Sequence, residues 1–227
     1  MSGSAVTAAT QSRDLTPRQR ERRARILDAT YALLAEHGYD AVSMRMIAAA
    51  AGVAERTLFN IYATKDALIA TSARERTEEI IDEAWNTAAD HGIGFFLSLS
   101  ETLSRRTLEA PEVARALAPV LVQHADLVGL HGVYERYVGR ALNELVHRDA
   151  LDRAEVAVLT ALIAMRMVAA VTLWAANVIA DAELETQMRL AVCQVLLPHG
   201  RGDLRDWAMA EARRCAAVLA RTEYRRS

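Results

Sequence analysis

Side chains that could contact a nucleic acid are concentrated in and just before the segment MRMIAAAAGVAERTLFNIYATKDAL. Ser43 precedes an apolar run, so its hydroxyl and the nearby backbone amides could face a phosphate. Arg45 and Lys65 carry positive charge, and Arg56 has the planar fork that pairs with guanine. Thr57 is short enough to contact a phosphate without holding a helix away from DNA. These residue types predict an interface for double-stranded DNA.

Further residues extend this predicted interface. Glu55 could accept a hydrogen bond from cytosine, but it could equally pair with Arg56 and not touch DNA. The cluster RQRERRAR at residues 18–25 adds positive charge, although such a cluster is also typical of a solvated helix face. The predicted DNA-contact set is Ser43, Arg45, Glu55, Arg56, Thr57, Phe59, Asn60, Lys65, Arg18 and Arg20.

The sequence carries no motif of an enzyme or a metal site. None of the six histidines has metal-ligand spacing, and the chain contains no Gly-rich phosphate loop, nucleophile elbow or C-x-x-C pair. Cys193 and Cys215 are predicted to be buried, reduced thiols, as expected in a reducing cytoplasm. We therefore predict a cytoplasmic protein that is not an enzyme and needs neither a metal nor another cofactor.

The segments that carry these residues are predicted to be helices. Hydrophobic residues make up 52% of the chain, with only ten Gly and four Pro, and no strand-like alternation is present, so we predict an all-α fold. Thr16 can cap a helix over 17–36, and shorter helices over 44–51 and 54–60 are separated by Gly52. Two short helices joined by a tight turn indicate a helix-turn-helix, although an ordinary helical corner gives the same pattern.

The segment IAAAAGVAERTLFNIYATKDAL resembles the DNA-binding domain of the tetracycline-repressor (TetR) family. The matching residues are Ile47-Ala48, Ala51-Gly52-Val53, Thr57-Leu58-Phe59, Tyr62 and Lys65-Asp66-Ala67-Leu68. The resemblance covers roughly residues 18–70. It implies an N-terminal three-helix DNA-binding domain with a helix-turn-helix, followed by a larger helical domain that binds an effector and dimerises, with about nine to ten helices in all.

Two residues depart from the family pattern. The family usually has tyrosine where this chain has Phe59, and often histidine where it has Ile61. Both usual residues are typically phosphate contacts, and neither replacement carries a hydrogen-bond donor. Asn60 could partly replace them, and more of the affinity would then come from Arg18, Arg20 and the N-terminal arm.

We predict three parts of the chain: a disordered arm at 1–15, the DNA-binding domain at 16–68, and the effector-binding and dimerisation domain at 69–227. Beyond the first three helices, we predict helices from Thr64 to about 89, over about 93–108, from Pro111 onward, and over about 125–147, 153–180, 181–198 and 204–221. Pro119 is expected to kink or split the helix that contains it.

The eighth predicted helix, about 153–180, is apolar almost all round and must be covered on more than one side. The resemblance implies that it and the last helices, about 182–221, form the homodimer interface. Its length would also allow it to cross a membrane. Arg166 near its middle and acidic residues on both flanks argue against that alternative, so we predict no membrane contact.

Residues of mixed polarity in the middle helices are candidates for an effector pocket. They are Trp85, Phe96, His124, His131, Tyr134, Met165, Arg166, Trp174 and Asn177. Each could also be an ordinary core residue. Arg166 lies among apolar residues and would need either an internal carboxylate or an acidic ligand as its partner.

Together these features predict a ligand-responsive transcriptional regulator, most simply a repressor. We expect a homodimer that binds an inverted-repeat operator in duplex DNA and is released by a small molecule of unknown identity. The alternatives are a dimeric DNA-binding protein that senses no ligand, and a helical small-molecule-binding protein or enzyme that does not bind DNA.

Overall fold

Every regular element between residues 16 and 224, the range described by the computed structural model, is a helix. Side chains are described as far as Arg221, and the predicted arm at 1–15 lies outside the described residues. Eleven α-helices and two short 3₁₀ helices occur in this range, which confirms the all-α prediction. The chain divides into an N-terminal unit, Met1–Leu68, and a C-terminal unit, Ile69–Ser227.

The N-terminal unit contains α1 (Pro17–Ala41), α2 (Met44–Ala51), α3 (Glu55–Tyr62) and the first turn of α4 (Lys65–Thr87). The C-terminal unit holds the rest of α4 and α5 (Ile93–Glu109), α6 (Pro111–Gln123), α7 (Ala125–Val128), α8 (Leu130–His147), α9 (Val156–Ala175), α10 (Leu184–Leu196) and α11 (Gly202–Tyr224). The 3₁₀ helices are Arg153–Glu155 and Asp181–Glu183.

Capping residues and glycines mark several helix boundaries in the N-terminal unit. Thr16 and Gln19 form the predicted capping box at the start of α1. The helical segment extends beyond the predicted end at residue 36, but Gly38 interrupts it with a φ of 73°. Gly52 ends α2 in the left-handed conformation, with a φ of 65°. The Thr64 hydroxyl accepts a hydrogen bond from the backbone N–H of Ala67, which caps α4 as predicted.

Two long helices predicted in the C-terminal unit are interrupted by residues with positive φ. The helix predicted over 125–147 is divided between α7 and α8 at Gly129, whose φ is 63°. The helix predicted over 153–180 begins as a 3₁₀ turn and its α-helical part ends at Ala175, because Asn177 has a φ of 60°. Pro119 lies inside α6 and does not split it.

The core of the C-terminal unit is one contiguous cluster contributed by α4 to α6 and α8 to α11. Its largest fully buried side chains include Trp174, Tyr134, Phe95 and Phe96. Within the described chain, the segment Arg153–Ala175 is the one helix long and apolar enough to cross a membrane, a property that core helices of water-soluble proteins share.

Candidate nucleic-acid interface

One face of α3 is buried against the N-terminal unit and the opposite face is open. Leu58 is 0% exposed and Tyr62 is also buried, whereas Arg56, Phe59 and Asn60 are exposed. Ile47 and Ala48 of α2 are also buried, and α2 packs against α3, as the helix-turn-helix prediction requires. With a period of 3.6 residues, Arg56 and Asn60 lie on the side of α3 opposite Leu58. We call the exposed side that carries Arg56 and Asn60 the α3 crest.

The charged residues at the start of α3 remain available for a partner. Glu55 and Arg56 are both exposed, and neither takes part in an ion pair with any residue between 16 and 224. The alternative that they neutralise each other is therefore not realised in the free protein. An unpaired guanidinium at the N-terminal end of α3 has the donors needed for the O6 and N7 atoms of guanine.

The start of α2 can provide a second contact. The Ser43 hydroxyl accepts a hydrogen bond from the backbone N–H of Met46 at 3.3 Å, and its own proton remains free to be donated. Ser43 and Arg45 are both exposed. A helix N-terminus with a hydroxyl donor and a nearby guanidinium is suited to binding a phosphate.

Lys65 has an internal partner that its position in the sequence does not reveal. Its Nζ donates to the backbone carbonyl of Tyr39 at 3.0 Å and lies 4.6 Å from the centroid of the Tyr39 ring. The Tyr39 hydroxyl donates to Oδ1 of Asp66 at 2.6 Å. Burial and the hydrogen bond to Asp66 raise the pKa of Tyr39 to about 12. Lys65 therefore joins the end of α1 to the start of α4 before it contacts any DNA.

The remaining predicted contacts differ in exposure. Arg18 and Arg20 lie on the exposed first turn of α1, and Thr57 is half-buried. Phe59 is 47% exposed and Ile61 is 42% exposed, so neither side chain is part of the core. Phe59 and Ile61 lie on opposite sides of the α3 crest. The tyrosine hydroxyl or histidine imidazole that the family usually has at these positions would be exposed there.

Replacing Phe59 by tyrosine is expected to tighten DNA binding about threefold to tenfold, because a charged phosphate oxygen can accept a hydrogen bond from the added hydroxyl. The exposed ring leaves room for one more oxygen. The gain should be similar for operator and random duplex, since phosphates carry no sequence information. Fluorescence anisotropy with both duplexes measures the change. Unchanged affinity for both would show that the Phe59 ring does not face the DNA backbone.

A Lys65→Met variant is expected to bind all duplexes more weakly and to reduce the salt dependence of binding by about one unit of slope per half-site. The loss would show that the ammonium group neutralises a phosphate in addition to its bond to Tyr39. Tyr39→Phe is the matched control, because it breaks the bond to Asp66 and retains the ammonium group. An equal change of salt slope in both variants would mean that Lys65 acts only by holding α1 to α4.

A cavity in the C-terminal unit is the second candidate site. It contains about 510 Å³ of space not filled by protein atoms, part of it open to solvent. Its walls come from α4, α5, α6, α8 and α9 and are mainly apolar. Representative wall residues are Ile80, Leu103, Leu117, Ala118, Met167 and Val171. The polar residues at its surface are Arg76, Thr77, Thr107 and Tyr134.

The predicted effector-binding residues are dispersed, and Tyr134 is the one that lines this cavity. Phe96 and Trp174 are buried in the core, and the indole N–H of Trp174 donates to Oδ1 of Asp181 at 2.7 Å. Arg115 lies over the same indole and donates to the side chain of Asn177. The polar groups of Trp174 and Asn177 therefore bind other residues of the described chain.

The other predicted effector-binding residues lie partly or fully at the surface. Trp85 stacks on His91 at a centroid distance of 4.1 Å, and His124 is half-buried at the end of α6. His131, Met165 and Arg166 are exposed. Because Arg166 is exposed, it needs neither an internal carboxylate nor a ligand in a single chain, which corrects the sequence-based argument for such a partner.

Sequence reasoning did not identify most of the cavity wall. Arg76, Thr77 and Thr107 lie on α4 and α5 at positions that read as ordinary amphipathic helix. Met167 lines the cavity, whereas Met165, two residues earlier, is exposed on another face of α9. A helical turn of 3.6 residues gives this separation, but only the packing of five helices shows which face encloses a cavity.

Comparison with known proteins identifies the family. Residues 26–71 match the family model of bacterial regulatory proteins of the tetR family. The repressor KstR of Rhodococcus jostii is 30% identical over 151 residues, which are 66% of this chain and 70% of that protein. The chain belongs to the TetR family. KstR of Mycolicibacterium smegmatis is 48% identical over 71 residues, covering 31% of this chain and 34% of that repressor.

Solved TetR-family structures share the fold of this chain. A TetR regulator from Rhodococcus sp. RHA1 has a TM-score of 0.66 at 18% identity, covering 79% of this chain and 98% of the regulator. FadR of Thermus thermophilus, solved in complex with lauroyl-CoA, has a TM-score of 0.62 at 18% identity, covering 77% and 93%. As a TetR-family member, the protein is a DNA-binding transcriptional regulator.

Proposed function

We propose that this TetR-family protein is a cytoplasmic repressor that binds an inverted-repeat operator as a homodimer and leaves it when a small molecule binds the C-terminal unit. The observation that carries the proposal is the α3 crest: Arg56 is exposed and unpaired among the described residues, on a helix whose other face is buried by Leu58. Such a helix can enter the major groove with its side chains already oriented.

The charge of the N-terminal part supports this use. Residues 13–70 contain nine basic and seven acidic side chains, a local charge of +2, although the whole chain has a formal charge of −2. The excess is small, so we expect contacts from a few placed cations and not from a broad basic surface. Arg18, Arg20 and Arg45 are exposed and supply three such cations in addition to Arg56 of the α3 crest.

An apolar face of α9 supports the homodimer. Val158, Leu162, Met165 and Leu173 are exposed, and their spacing of three to eight residues places them on one side of the helix. Exposed Ala169 lies between Met165 and Leu173 on the same side. A continuous apolar stripe of this kind is unusual on a monomer and is typical of a helix–helix interface. We propose that the same face of a second copy covers it.

The cavity supports a ligand-responsive function over a regulator that senses nothing. FadR of Thermus thermophilus was solved with lauroyl-CoA, so the fold can hold a small molecule. In this chain, α4, α5, α6, α8 and α9 leave a mainly apolar cavity, partly open to solvent, that a small molecule could occupy. Because α9 contributes both to the cavity and to the exposed stripe, a bound ligand can alter the dimer.

Selection of bound sequences from random duplex DNA tests the proposal. We expect enrichment of an inverted repeat whose half-sites are about one helical turn or a multiple of it apart. A ligand screen on the selected duplex then tests release. Enrichment of no sequence, or of a single half-site without symmetry, would contradict the DNA-binding part. Specific binding that no cavity ligand weakens would instead favour the regulator that senses no ligand.

A further inference from the structure

The cavity of the C-terminal unit is lined by a tyrosine hydroxyl that has no hydrogen-bond partner among the described residues. Tyr134 is 1% exposed and lines the cavity. Its hydroxyl has no hydrogen-bond partner among residues 16–224. A hydroxyl that faces a mainly apolar cavity is more favourable when it is hydrogen-bonded, as the great majority of polar side chains in protein interiors are. The absence of a protein partner points to a ligand atom or water as the missing one.

The other polar groups at the cavity define what the ligand can carry. The Thr77 hydroxyl donates to the backbone carbonyl of Ala73 at 2.8 Å, and Arg76 donates to the backbone carbonyl of Arg106 at 3.3 Å. Both groups already have protein partners. No aspartate or glutamate is among the lining residues, so a cationic ligand would find no counter-charge and would face the guanidinium of Arg76.

We infer that the cavity takes an uncharged, mainly apolar small molecule that accepts a hydrogen bond from the Tyr134 hydroxyl. Apolar walls supply the affinity. The Tyr134 hydroxyl orients a carbonyl or ether oxygen of the ligand, and the Thr107 hydroxyl is the other lining group that has no hydrogen-bond partner among the described residues. Burial raises the pKa of the hydroxyl, so it stays protonated and remains a donor. The inference rests on the proposed ligand-responsive function and specifies the chemical class of its effector.

The fluorescent ketone prodan is a suitable probe, because it is neutral, apolar and carries one carbonyl acceptor, and its emission reports both polarity and hydrogen bonding. Titration of the full-length protein is expected to show saturable binding of one molecule per chain. Tyr134→Phe should weaken binding about threefold to tenfold and shift the emission to the blue, since the hydrogen bond to the carbonyl is lost. Ala118→Leu should abolish binding by filling the cavity.

Tyr137→Phe is the matched control. Tyr137 lies one turn further along α8 and is also buried, but it does not line the cavity and its hydroxyl donates to Asp82 at 2.8 Å. Its replacement should leave prodan affinity unchanged. If Tyr134→Phe and Ala118→Leu both bind prodan like the wild type, or if binding never saturates, the dye is not in this cavity and the inference is wrong.

Two comparisons separate this inference from the proposed function. The anionic dye 1-anilinonaphthalene-8-sulfonate should bind the cavity more weakly than prodan does. If it instead binds more tightly, and Ala118→Leu abolishes that binding, the assignment of an uncharged ligand is wrong. Duplex binding is measured on the same preparations without any dye. Intact DNA binding without a prodan site overturns only the inference, whereas a Tyr134-dependent prodan site without specific DNA binding overturns only the proposed function.

Discussion

A Met165→Glu variant is expected to be a monomer and to bind the operator about 100-fold more weakly, or worse. Met165 is 65% exposed at the centre of the apolar stripe on α9, so the change places a charge in the proposed dimer interface without disturbing the core. A monomer presents one α3 to one half-site. It therefore loses the contacts of the second half-site, which in a dimer add to those of the first.

Val122→Glu on α6 is the matched control for this prediction. Val122 is 58% exposed and apolar, but it lies outside α9. Analytical ultracentrifugation at micromolar concentration gives the oligomeric state, and anisotropy gives the operator affinity. The control should remain a dimer with wild-type affinity. A Met165→Glu protein that stays dimeric, or a wild-type monomer that binds the operator specifically, would show that α9 does not form the interface.

An Arg56→Ala variant is expected to lose about 1–3 kcal/mol of binding free energy per half-site and to lose preference at one base position in each. The guanidinium is exposed and unpaired among the described residues, so its removal leaves the fold intact and deletes only contacts with DNA. A bidentate pair with guanine is lost together with its discrimination against the other bases.

Arg56→Lys distinguishes base recognition from simple charge. Lysine retains the positive charge but not the planar pair of donors. We therefore expect the lysine variant to keep most of its affinity for random duplex and to lose the base preference. Affinities for a set of operators with single substitutions measure both quantities. If Arg56→Ala weakens all duplexes equally, as predicted for Lys65→Met, Arg56 contacts phosphate and not a base.

Local sequence signals accounted for most of the helix-turn-helix because the two boundaries of α2 and the buried face of α3 have short-range causes. Ser43 caps α2, Gly52 terminates it with positive φ, and Leu58 marks the buried face of α3. Each signal acts within a few residues along the chain. The bond of Lys65 to the Tyr39 carbonyl has no such local signal, because it joins residues 26 positions apart.

The C-terminal unit was less predictable for a physical reason. A helix that is apolar almost all round indicates burial, but it does not indicate which face meets the core and which meets another surface. Met167 lines the cavity and Met165 is exposed, although both have the same side chain and nearly the same sequence context. The cavity lies where the side chains of five helices do not pack completely against one another, so it depends on tertiary packing and not on any one helix.

Chemical protection of guanine N7 on the selected duplex shows whether α3 enters the major groove, because N7 lies in that groove. If the α3 crest enters that groove in two copies, wild-type protein should protect guanines in two symmetric half-sites about one helical turn or a multiple of it apart. Arg56→Ala should expose one guanine in each half-site. Protection limited to adenine N3 in the minor groove, or to one unsymmetric stretch that Arg56→Ala leaves unchanged, would contradict the proposed mode of DNA binding.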